Sequence, residues 1–200
     1  MHRRYALLIG MASFVVLFAH GQGTIKEVKP NNCIYWESMT TEQQMEYLDA
    51  NSIDKNVLAL FEGKLRPNDD EVTRRLLDTL MSVNSSDKKR VAFYFFLFNR
   101  VCLDADGAVS EMLGSYCQRM LVNMPEYVIY YLERNSDILK VYVDILGYEL
   151  HFKERGTSSM QYDFATFKRM LYERLNDKPE YDGILKTFFI EVRSVMDKMN

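Results

Sequence analysis

The sequence predicts an all-α protein of about nine helices, packed as antiparallel pairs into an irregular bundle or a degenerate helical-repeat superhelix of the HEAT or tetratricopeptide kind. Two observations carry this. Apolar residues recur at spacings of three and four through most of the chain, and capping signals stand ahead of those stretches. No run alternates apolar and polar residues between hairpin turns, as a half-buried strand would.

In chain order, residues 1–21 read as a secretory signal peptide. Arg3 and Arg4 precede an uncharged apolar run from Tyr5 to Ala19, and Ala19 and Gly21 supply the small residues before a cleavage point at Gln22. The run falls short of the roughly 20 apolar residues that span a bilayer. The chain is therefore expected to be exported, periplasmic or extracellular, with no stable membrane span after cleavage near Gly21. Residues 22–38 carry Gly, Pro and paired Asn and read as an N-terminal linker anchored at Ile34, Tyr35 and Trp36. Residues 39–200 form a single helical domain, since a 48% apolar chain of this length can bury one sizeable core.

Within that domain, Thr40 or Thr41 stands three residues before Gln43 or Gln44, a capping-box spacing, with Met45 and Leu48 following on one face. A short helix is expected over Lys55 to Glu62, stopped by Gly63. Asn68 is placed to cap the next helix with Glu71 at the box position, and Val72, Leu76, Leu80 and Val83 make its stripe. Ser85 or Ser86 then caps "RVAFYFFLFNRVC", residues 90–102, whose eight consecutive apolar positions, Val91 to Phe98, mark the central buried helix of the fold. Asp106 caps a further helix, and Pro125 opens another at its first turn, where a missing N–H costs nothing. Ser136 or Asp137 caps the run through Ile138, Val141, Tyr142, Ile145 and Tyr148. Two more helices follow the loop "KERGTSS", the second beyond Pro179. Helix starts near Asp70, Asp106, Asp137 and Asp182 are spaced 36, 31 and 45, an irregular interval that fits a degenerate repeat and not a strict one.

Composition excludes several functions. The net charge is −3, and it becomes −5 once the leader takes away two arginines and no acids. Basic residues are interspersed with acids and "KKR" at 88–90 is the longest basic run, so nucleic acid is not an expected partner. "DADG" at 104–107 resembles the middle of a calcium loop, but the essential end carboxylates fall on Cys102 and Leu113, leaving a turn with an Asp cap. Past the leader the only histidine is His151, at the end of a helix and expected to be solvated or to face the negative end of the helix dipole. One histidine and three scattered cysteines make neither a zinc site nor a recognisable triad. No phosphate-binding glycine loop is present. Neither a cofactor, a metal nor a catalytic residue is assigned.

The odd cysteine count, Cys33, Cys102 and Cys117, leaves at least one thiol unpaired. An antiparallel turn near Asp104 to Gly107 sets Cys102 opposite about residue 109. Cys117 is then displaced by roughly 12 Å, at ~1.5 Å per residue, beyond the ~7 Å Cα limit for a bridge. "NSS" at 84–86 is a glycosylation sequon in a eukaryotic secretory pathway.

The candidate interaction surface is aromatic: Tyr127, Tyr130 and Tyr131 on one face of a short helix, with Tyr35 and Trp36 at the entrance to the domain. The functional expectation is an exported, non-catalytic helical protein that binds an unidentified protein partner in the cell envelope or outside the cell, as an inhibitor- or immunity-type binder does. The rival expectations are a hydrolase of wall or glycan substrates working through two carboxylates, and a carrier with an apolar cavity around Phe93 to Phe98.

Overall fold

A computed structural model of the chain describes residues 33–82 and 86–199. The expected leader, its cleavage point, linker residues 22–32, and Val83, Asn84 and Ser85 with the sequon lie outside the described residues. Nine α-helices and two 3-10 turns are described, with no strand among the described residues. The helices are α1 Thr41–Ala50, α2 Lys55–Phe61, α3 Glu71–Met81, α4 Lys88–Asp104, α5 Gly107–Asn123, α6 Pro125–Arg134, α7 Ser136–Glu154, α8 Phe164–Arg174 and α9 Asp182–Lys198.

Short polar side chains start most of them. Thr40 and Gln43 form a reciprocal capping box on α1, with Gln43 N–H donating to Thr40 Oγ1 at 3.3 Å and Thr40 N–H donating to Gln43 Oε1 at 3.0 Å. Asp106 and Asp163 accept from the N–H groups of Val109 and Thr166 to open α5 and α8. Gly63 ends the α2 segment at φ 69°, a left-handed position that favours glycine. Three expected caps move. Asp70, not Asn68, caps α3 by accepting from Thr73 N–H at 2.8 Å, and Asp87, not Ser85 or Ser86, caps α4. α7 starts after Asn135 with no side-chain cap. The shift on α3 also turns its buried face onto Thr73, Leu76, Leu77 and Leu80, leaving Val72 exposed.

Every second helix packs side by side: α3 on α5, α5 on α7, and α7 on α9, a row of the kind made by stacked helix pairs. The tight joints are α5–α7 and α7–α9. Glycines allow both close approaches. A Cβ placed on Gly114 of α5 would stand 2.3 Å from Glu149 Cγ on α7, and one on Gly147 of α7 would stand 2.6 Å from Val195 Cβ on α9. α7 makes the tightest joints and touches α4, α5, α6 and α9. α4 is buried on nearly every face, as a central helix must be, with α2, α3, α7 and the turn at Trp36–Ser38 around it.

One further expectation is corrected. His151 is buried, 5% exposed and edge-on to Phe152, and so is not solvated: it ends the buried run of Glu149 and Leu150, and the rest of the last turn of α7 is half-buried or exposed. Cys102 and Cys117 are both buried and free, as small apolar residues of a core commonly are.

Candidate functional site

α6 places Tyr127, Tyr130, Tyr131 and Arg134 at i, i+3, i+4 and i+7, the spacing of one helix face. Residues 33–39 cross that face as a strap. The two are tied reciprocally: Tyr35 donates its hydroxyl to the Tyr127 carbonyl at 2.9 Å, and Tyr127 donates to the Ile34 carbonyl at 2.7 Å. Tyr131 donates to Glu37 Oε1 at 2.6 Å. The Tyr35 ring lies 4.6 Å from that of Tyr127, 5.1 Å from Tyr131 and 6.2 Å from Tyr130, the last pair stacked. From below, Phe95 of α4 meets Tyr127 and Tyr131 edge-on.

Burial is the main cause that pushes the hydroxyls of Tyr35, Tyr127 and Tyr131 above the usual tyrosine range, and the Glu37 carboxylate raises Tyr131 further. All three thus remain neutral donors at physiological pH. Arg134 covers the open side, its guanidinium 3.5 Å from the Tyr130 ring centre, a cation–π contact, with Glu133 beside it at 2.9 Å. The result is a shallow groove of about 410 Å³ with Tyr35, Tyr130 and Tyr131 as its floor and Glu37 and Arg134 at its rim.

Four of the five aromatic residues expected from sequence therefore come together. Trp36 does not. It is 2% exposed and turns away from the groove onto Phe93, Tyr47 and Phe61, at 4.6, 5.7 and 6.2 Å between ring centres. Its place is in the core, where it anchors the strap. Arg134 and Glu37 belong to the site and escaped the sequence reading, although Arg134 stands four residues beyond Tyr130, the spacing that lets a cation cover a ring.

The two rival chemistries look different in space. Glu149 is the buried carboxylate among the described residues. It accepts from Ser158 at 2.8 Å and lies across Gly114. Burial foremost, then the nearby Glu111, raises its carboxyl above the usual range, but Glu111 itself is exposed. Around Phe93 to Phe98 the space is occupied by ring contacts with Trp36, Phe61, Tyr127, Tyr131 and Tyr142. Among the described residues, no three His, Cys, Asp or Glu side chains are grouped so as to hold a metal ion, and no helix is long and apolar enough to cross a membrane.

No protein-family model, curated protein or solved structure matches this chain.

Proposed function

We propose that the protein is an exported binding module that docks a protein partner on the Tyr35–Tyr130–Tyr131–Arg134 groove, in the manner of an inhibitor or immunity protein. One observation supports this reading above the rest: a tyrosine floor with an arginine over the Tyr130 ring at the rim. Tyrosine and arginine dominate the energetics of protein interfaces because each offers broad contact area with a directional polar end. Here Tyr35 and Tyr131 of the floor are already tied by hydrogen bonds between the strap and α6, so little of their side-chain freedom remains to be lost on binding.

The test is capture from an envelope extract of the native host, using tagged wild type, Arg134→Glu and a distant charge reversal, Lys168→Glu. The expected result is one stoichiometric partner retained by wild type and Lys168→Glu and lost by Arg134→Glu. Equal retention by all three, or nothing retained above control, overturns the proposal.

A further inference from the structure

A cleft of about 570 Å³ opens between the α2–α3 connection and the junction of α4 with α5. Its size lies in the range of small-molecule sites, about 300–1,000 Å³, and it shares no residue with the tyrosine groove. One wall is the connection itself, which is folded back on α2. Lys64 and Leu65 both donate their N–H groups to the Ala59 carbonyl, and Asn68 donates its side-chain amide to the Arg66 carbonyl at 3.3 Å. The other wall carries Asp104 and Asp106, the acids of "DADG" that do not complete a calcium loop. Leu60, Leu65 and Val101 add an apolar stretch.

Both signs of charge line this cleft, and they are not spent on one another. Arg100 and Asp104 stand one turn apart on α4, but base before acid is the weaker order for a helix pair. Among the described residues, neither they nor Arg66 takes part in an ion pair. Arg100 instead donates one N–H to the Phe61 carbonyl at 3.2 Å, with its guanidinium 5.9 Å from the Phe96 ring centre. A guanidinium has five N–H donors, so most are left for a ligand. Asp106 is engaged in capping α5, where it accepts from Val109 N–H at 3.1 Å, whereas Asp104 is exposed. An anion entering here would meet two arginines but also two carboxylates, and a cation the reverse. A molecule with both charges gains from each.

We propose that the cleft binds a small zwitterion of the amino-acid and short-peptide class. Its carboxylate lies on Arg66 and Arg100, since guanidinium groups suit planar carboxylates, its ammonium on Asp104, and an aliphatic side chain against Leu60, Leu65 and Val101.

The probes are the tripeptide Ala-Leu-Ala, its N-acetyl and C-amide forms, and free leucine, each titrated into the isotope-labelled full chain with amide shifts read by nuclear magnetic resonance. The expected result is saturable shifts at residues 60–68 and 100–106 with a Kd below about 1 mM, and a loss of about tenfold or more on capping either end. Asp104→Asn, a change on an exposed side chain, should bind the free and N-acetyl tripeptides alike and still prefer both to the C-amide. Leucine and the tripeptide each support the proposal if they bind in this charge-dependent way, and the tighter of the two names the source. No saturable shift by about 10 mM, equal binding of the capped forms, or an Asp104→Asn chain that still discriminates against the N-acetyl form overturns it.

Discussion

Replacing Gly147 by alanine tests the claim that α7 and α9 touch through a glycine. The added methyl would meet Val195 Cβ and Cγ1 at 2.6 Å each and the Val192 carbonyl oxygen at 3.1 Å. Ordinary carbon–carbon contact is about 3.5–4.0 Å, so the helices must part by roughly 1 Å. Neither obstacle is the free end of a flexible side chain: one is a β-branched Cβ fixed to its backbone and the other is backbone itself. Overpacking costs about 1–3 kcal/mol, and the upper end applies here. Alanine returns about 1 kcal/mol of helix propensity. The net loss is about 2 kcal/mol, which for a urea m-value near 2 kcal/mol/M lowers the midpoint by roughly 1 M. The assay is urea unfolding followed by circular dichroism, with Gly183→Ala as the control, since a Cβ on Gly183 meets nothing within 4 Å. A Gly147→Ala midpoint equal to or above wild type refutes the close-approach argument.

Three other outcomes are expected. Glu149, raised mainly by burial, favours the fold in its protonated form; that contribution is full below its ordinary value of 4.5 and is lost as pH rises through the folded value. Wild type should therefore lose stability relative to Glu149→Gln between pH 4 and pH 7.5 in paired urea titrations, and a difference constant with pH contradicts this. Tyr131→Phe removes the hydrogen bond to Glu37 and should cost about 1 kcal/mol, because the exposed carboxylate rehydrates; a double-mutant cycle with Glu37→Gln should show coupling, and additivity of the two changes would count against the strap. Trp36 is the one tryptophan of the chain and is buried, so its emission should be blue-shifted and shielded from acrylamide in the folded protein, whereas free quenching would mean the strap is not docked.

Local chemistry was the most legible part of the sequence. The Thr40–Gln43 box, the Asp106 cap, Pro125 at the start of α6 and the Gly63 stop depend on residues within a turn of one another, and each stands where the pattern placed it. What depends on neighbours far along the chain was not. Asn68 and Asp70 are equivalent caps until packing of Leu76, Leu77 and Leu80 fixes the helix rotation. Trp36 and Tyr35 are adjacent and similar, yet one enters the core and the other floors the groove, because the strap presents successive side chains to opposite sides. That α5 packs along α7 was not legible either, because a short turn in the sequence does not reveal which helix its successor lies beside. The groove was half legible for the same reason: α6 carries its tyrosine face openly, while Glu37 reaches Tyr131 from 94 residues away.

That separation sets an order of events during synthesis. The strap leaves the ribosome first, but its hydrogen-bond partners Tyr127 and Tyr131 follow 92 to 94 residues later. Until α6 has emerged, the strap can seat only Trp36, on Tyr47, Phe61 and Phe93, and its tyrosine hydrogen bonds cannot form. The tyrosine side of the strap thus docks late, and the groove is completed only after α6 has been made.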